Sequence, residues 1–175
     1  MPEKSDCKFS HTQSKICDLN TVVARVANIQ ASGSSVVFTN GVFDLLHAGH
    51  VTYLEEARAL GSHLVVALNS DSSVKTNKGD RRPIVGQEDR AKLVASLQCV
   101  DLVFVFDTKT PVSAIELIKP MVYVKGGDYR VEDLPETPVV RQYGGMVKIL
   151  SLVKGRSSTQ LIQKILEVYG SIETS

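Results

Sequence analysis

Short apolar runs alternate with stretches of helical spacing along this chain, and that alternation limits its possible folds more than any other feature. The runs cover residues 36–40, Leu64 to Asn69, Leu102 to Phe106, Met121 to Val124 and Met146 to Leu150, each rich in valine, leucine or phenylalanine. Between them, helical patterns cover roughly 49–60, 87–98, 111–118 and 136–143. A last helix runs from about Ser158 to Tyr169, with Leu161, Ile162, Ile165, Leu166 and Tyr169 aligned. Alternating strands and helices imply a parallel sheet covered on both faces. The expected fold is therefore one Rossmann-like α/β domain with a five-stranded parallel sheet, whose order is assumed to be 3-2-1-4-5. An extra helix over 18–30 precedes it, capped by Asp18 and striped by Leu19, Val22, Val23, Val26 and Ile29. Residues 1–17 read as a loose segment and 36–169 as the core of the domain.

With 175 residues, 43% of them hydrophobic, the chain can bury one substantial core. A formal charge of +1 gives no reason to expect nucleic acid as a partner, and no stretch interleaves basic residues with aromatics. Any anion site must be local. Cys7, Cys17 and Cys99 are odd in number and lack metal-type spacing, which suits a reducing compartment. The polar start Met1 to Asp6 is unlike a secretory signal, and no apolar run approaches the ~20 residues that span a bilayer. A cytoplasmic protein without membrane partners is expected.

The polar motifs gather after particular strands. Asn40 to His50 follows the first, Lys125-Gly126-Gly127-Asp128 the fourth, and Lys154-Gly155-Arg156-Ser157-Ser158-Thr159 the fifth. With the assumed strand order, strands one and four are neighbours at the topological switch point, where a ligand crevice opens. His47 and His50 are spaced to share one face at a helix start, where unpaired amides and the helix dipole attract anions. Gly49 leaves room for a phosphate. Two imidazoles there can donate hydrogen bonds to phosphoryl oxygens as charge builds during displacement. Asn69 to Pro83 reads as a cationic lid, a loop with Lys75, Lys78, Arg81 and Arg82.

Plainer readings stand beside these. Two histidines three apart occur by chance in many helices. Asp44, His47 and His50 have spacing compatible with a zinc or iron site. Gly126-Gly127 can serve backbone geometry alone, and Ser157-Ser158-Thr159 can be an ordinary helix cap. The lysines and arginines of the 69–83 loop can be solvated charge. Arg90 sits in the first turn of its helix, where the dipole disfavours a cation, and that misplacement favours a ligand role.

The segment Thr39-Asn40-Gly41-Val42-Phe43-Asp44-Leu45-Leu46-His47-Ala48-Gly49-His50 resembles the first signature of the cytidylyltransferase-like nucleotidyltransferases. Arg156-Ser157-Ser158-Thr159-Gln160-Leu161-Ile162 resembles their second. The likeness runs from about Val36 to the last helix. The text between, including Asn69-Ser70-Asp71, Lys78-Gly79-Asp80, Arg82-Pro83-Ile84, Val100-Asp101 and Val124 to Tyr129, resembles in particular the heptose 1-phosphate adenylyltransferase branch, and its stand-alone form is the expectation.

The resemblance implies that a sugar 1-phosphate oxygen attacks the α-phosphorus of ATP and expels pyrophosphate. It implies catalytic roles for His47 and His50, with Lys75 or Lys78 from the loop. Nucleotide contacts fall to Asn40, Gly41, Val42, Phe43, Asp44, Gly49, Arg90, Gly126 and Asp128. Arg156, Ser157, Ser158 and Thr159 grip the β- and γ-phosphates, while Lys75, Lys78, Arg82 and Lys125 contact the acceptor. Mg²⁺ accompanies ATP without a dedicated protein cage. The family's arginine within the last helix is matched here by Lys164, which keeps the charge and loses the fork. A homodimer and a setting in surface-glycan precursor supply belong to the same expectation. The alternatives are a CTP-dependent transferase acting on glycerol 3-phosphate or a similar alcohol phosphate, a nucleotide-binding module without catalysis, and a metal-dependent hydrolase. A dehydrogenase is disfavoured, since the turn after the first strand lacks GxGxxG.

Overall fold

The computed structural model describes residues 10–153 and 155–170, so Cys7 and Lys154 lie outside the described residues. Strands β1 (Val36–Gly41), β2 (His63–Asn69), β3 (Leu102–Phe106), β4 (Val122–Gly126) and β5 (Met146–Leu150) form one sheet in the order β3-β2-β1-β4-β5. Every pairing is parallel, as in Phe38↔Val65 and Phe38↔Tyr123. This is the expected Rossmann-like domain, and its reversal of strand order falls between β1 and β4.

Among the described residues, helices accompany the sheet along the chain. They are α2 (Leu19–Ala31), α3 (Ala48–Arg58), α4 (Asp71–Lys78), α5 (Gln87–Ala95), α6 (Val112–Ile118), α7 (Thr137–Gln142) and α8 (Ser158–Tyr169), preceded by the short α1 (Ser10–Lys15). Side chains alternate across a strand, so each sheet face has its own core. Phe38, Phe104 and Tyr123 face Val22 and Val26 of α2, Ile115 of α6 and Val140 of α7. On the other face, Val37, Val66 and Val124 meet Tyr53 and Leu54 of α3 and Val94 of α5. Asp18 caps α2, accepting from the Thr21 amide at 2.8 Å. Its Val22 and Val26 are fully buried, worth roughly 1.5–3 kcal/mol each. Thus α2 covers a face of the sheet.

Three expectations change. Residues 10–17 are ordered rather than loose: α1 leads into a parallel bridge between Ile16 and Val103, and the Cys17 amide donates to the Val103 carbonyl at 3.0 Å. This segment shields the outer edge of β3, whose peptide groups would otherwise lack partners. Within the supposed loop 69–83 lies α4, which starts at a Ser70 cap on the Ser73 amide and stops at Gly79 with φ +87°. Val74 is its one buried apolar residue, so no periodic stripe announced it. The aligned residues of α8 also do not seal a core: none of the helix is buried, and Leu166 and Tyr169 are more than half exposed.

Candidate active site

The chain leaves β1 at Gly41 and turns through Phe43, whose φ of 48° is left-handed. Gly41 permits the turn, because a Cβ there would stand 2.7 Å from the Phe43 ring. Phe43 packs tilted on His50 with centroids 5.1 Å apart, and His50 stacks on His47 at 3.8 Å with planes 18° apart. His47 occupies the N-cap of α3 but makes no side-chain capping bond. Its imidazole therefore remains available. The Nδ1 atoms of both rings are buried without a partner among the described residues, which is costly unless a ligand arrives. Beneath them Tyr53 anchors α3: its hydroxyl lies 2.6 Å from Thr39 Oγ1, which donates to the Val124 carbonyl at 2.9 Å.

The start of α8 closes on the same place. Ser157 caps the helix by accepting from the Gln160 amide, and Ser158 Oγ donates to the Leu45 carbonyl at 3.3 Å. Arg156 lies across Gly49, where an added Cβ would stand 3.0 Å from the Arg156 Cβ and 3.1 Å from His47 Nδ1. Gly49 thus lets the linker after β5 approach the helix, whereas the sequence suggested open space for phosphate. Together Val42, Phe43, His47, His50, Lys78 and Arg156 to Thr159 line a cleft of about 250 Å³, with Asp44, Gly49, Arg82, Leu152 and Val153 completing its wall.

Burial pushes the His50 imidazole down to about 4, helped by the charges of His47 and Lys78 and opposed by Asp44. His47 is lowered by burial and then by Arg156. Lys78 is lowered by burial and by Arg82, with Asp44 opposing. Around neutral pH, His50 is therefore a neutral donor and acceptor rather than a fixed cation.

Several assigned residues do other work. Asp44 lines the cleft but is 1% exposed: Oδ2 accepts from Arg82 Nε at 2.6 Å, and Oδ1 from the Ile84 and Val85 amides at 2.8 and 2.9 Å. Its oxygens are occupied, which removes the carboxylate from the imagined Asp44-His47-His50 metal triad. Among the described residues no three His, Cys, Asp or Glu side chains cluster as a metal ion would require.

Arg90 is not at the cleft. Its side chain is fully buried and donates to the carbonyls of Val85, Val42 and Asn69 and to Asp71 Oδ1, all within 3.0 Å. It fastens the turn after β1 to the ends of β2 and α5, and Asp71 offsets the unfavourable dipole. Lys75 is exposed and does not line the cleft, so Lys78 is the lysine of α4 that reaches it. Asp128 is exposed and also outside the cleft wall. Asn40, Gly126 and Lys125 sit at the adjoining carboxyl ends of β1 and β4, where Lys125 Nζ donates to Asn40 Oδ1 at 3.1 Å. Lys164 borders a neighbouring hollow beside His47 and Arg156. The sequence reading did not name Leu152 and Val153, whose apolar character gave no signal of a site.

A five-stranded sheet of this order, with a histidine-bearing helix start and a serine-capped helix start meeting at its crest, defines a Rossmann-like domain of the nucleotidyltransferase type. The model of the cytidylyltransferase-like family matches residues 38–164, and the chain belongs to that family. Bifunctional protein HldE of Geobacter sulfurreducens is 48% identical over 164 residues, 93% of this chain and 34% of that protein. The same-named protein of Syntrophotalea carbinolica is 50% identical over 137 residues, 78% of this chain and 28% of that one. The chain spans about a third of the length of the curated relatives it matches. Among solved structures, a lipopolysaccharide core biosynthesis protein from Thermoplasma volcanium superposes with a TM-score of 0.57 at 30% identity, covering 71% of this chain and all of that one. Pantoate-beta-alanine ligase from Francisella tularensis gives 0.54 at 13% identity over 89% of this chain and 79% of that chain, a likeness of fold alone. No helix among the described residues is long and apolar enough to cross a membrane.

Proposed function

We propose that this chain transfers AMP from ATP to a heptose 1-phosphate, giving ADP-heptose and pyrophosphate. The observation that carries the reading is the meeting of the stacked His47 and His50 with the capped start of α8 in one cleft. The resemblance of the segments between the two signatures to the heptose 1-phosphate adenylyltransferases favours a sugar phosphate acceptor, and the lipopolysaccharide core biosynthesis protein favours a setting in surface-glycan assembly.

In this reading an oxygen of the acceptor phosphate attacks the α-phosphorus, the bond from that phosphorus to the bridging oxygen breaks, and pyrophosphate leaves with its electron pair. No covalent enzyme intermediate is needed. The protein's part is positioning and charge neutralisation. The free amides at the start of α3 and its dipole draw the phosphates in. His47 and His50, neutral beforehand, donate to oxygens whose charge grows in the transition state. Lys78 and Arg156 approach the triphosphate from α4 and from the β5–α8 linker, and Ser157 to Thr159 offer amides and hydroxyls to its far end. Mg²⁺ would arrive with ATP, with phosphate oxygens and water as its main ligands, and would help neutralise the triphosphate.

The test is to incubate the protein with each nucleoside triphosphate and a panel of sugar and alcohol phosphates, then measure pyrophosphate. Release with ATP and heptose 1-phosphate is expected. Release only with CTP and an alcohol phosphate, or nucleotide binding with no pyrophosphate from any pair, would overturn it.

A further inference from the structure

On the sheet face turned away from α3, a second polar group stands at the carboxyl ends of β1 and β4. Phe38 and Asn40 share this face of β1, and Tyr123 and Lys125 share it on β4, with Phe38 paired to Tyr123. Tyr123 is fully buried, and its hydroxyl donates to Asn40 Oδ1 at 2.8 Å. Lys125 Nζ donates to the same oxygen at 3.1 Å. Two donors on one oxygen fix the amide, so Asn40 Nδ2 must point the other way. No acceptor takes it among the described residues.

Glu136, just before α7, is near enough to Tyr123 and Lys125 for its charge to act on both. It is 2% exposed, and its Oε2 is buried with no hydrogen-bond partner among the described residues. Burial lowers the Lys125 ammonium, and the Glu136 carboxyl counters that by favouring its charged form. A buried carboxyl oxygen without a partner is expensive, and such groups persist where they serve a site. Asn40 leads directly into Gly41, Val42 and Phe43, so the cluster adjoins the cleft across the crest of the sheet.

We propose that Asn40 Nδ2 and Lys125 Nζ form a subsite for the phosphate of the acceptor, with the buried Glu136 as the positioning residue for the Lys125 ammonium. A phosphate monoester fits two converging donors, one of them charged. The subsite lies on the sheet face opposite the histidines, so the acceptor enters from one side of the crest and the triphosphate from the other. The inference rests on the nucleotidyl-transfer reading and changes one part of it, moving Asn40 from the nucleotide to the acceptor.

Glu136→Gln and Asn40→Asp are the variants to compare with wild type, with Glu136→Asp as the conservative restoration. Each is assayed for acceptor KM and kcat by pyrophosphate release, for ATP binding by titration without acceptor, and for binding of inorganic phosphate by phosphorus NMR. Both test variants should raise the acceptor KM about tenfold or more, the worth of one charge-assisted hydrogen bond, with ATP affinity unchanged and partial recovery in Glu136→Asp. An unchanged acceptor KM, or ATP affinity falling in parallel, would overturn the subsite. If wild type released no pyrophosphate with any pair, the transfer reading would fail. Loss of phosphate binding in the two variants would then still support the subsite, and retained binding would sink it.

Discussion

Ser158 Oγ donates to the carbonyl of Leu45 at 3.3 Å, across 113 residues of chain, and so fixes the start of α8 against the turn that delivers His47. The contact joins a helix with no buried residue of its own to the turn after β1, in which Phe43 and Asp44 are buried. It is how two distant segments become one cleft.

His50→Ala should lower kcat about 10²- to 10³-fold, the loss seen when one preorganised donor to a developing oxyanion is removed. The thermal midpoint should stay near the wild-type value, because the ring borders a cleft rather than filling the core. Steady-state pyrophosphate release beside a melting curve checks both.

The depressed His50 pKa has a consequence for stability. Its imidazole titrates near 4 in the folded protein and near the ordinary 6.5 when unfolded, so the unfolded chain binds more protons between those values. The contribution is fully present above pH 6.5 and is lost as pH falls toward 4. Urea unfolding of wild type and His50→Gln across that window should show wild type losing more stability on acidification. Parallel curves would contradict the assignment.

Arg90→Met should destabilise the fold by about 3–5 kcal/mol, since it leaves Asp71 and three carbonyls without their shared donor. Arg90→Lys should recover little, because one ammonium cannot reach four acceptors in a fork. Denaturant midpoints are the measurement. A nucleotide-binding defect at full stability would restore the ligand role suggested by sequence.

Gly49→Ala pushes a methyl group to about 3.0 Å from the Arg156 Cβ. The linker must give by a few tenths of an ångström, and transfer depends steeply on the placement of the groups it carries. Activity should therefore fall much further than stability.

Lys78→Ala should weaken ATP binding about tenfold or more, and Lys75→Ala should leave it near wild type, since only Lys78 lines the cleft. Equal losses in both would mean that α4 moves when nucleotide binds.

The strands and most helices were legible because a buried parallel strand needs an unbroken apolar run and a covering helix needs a stripe, and both leave periodic marks. The β3 and β5 boundaries, Leu102–Phe106 and Met146–Leu150, match those read from the sequence. Helix α4 escaped because it presents only one buried apolar residue behind its Ser70 cap. Arg90 misled because its first-turn position was visible and its partner Asp71, nineteen residues back, was not.

By itself the sequence determined the class of sheet, its likeness to one enzyme family and the two segments that would have to meet, since these depend on local pattern and residue type. Tertiary structure decided which of the named charges face the cleft and which are engaged within the protein. Asp44 is held by Arg82 and two amides, and Arg90 by four acceptors. The reason is physical. A charged group in low dielectric takes whatever partner packing brings within about 3 Å, and that distance is set by the whole fold.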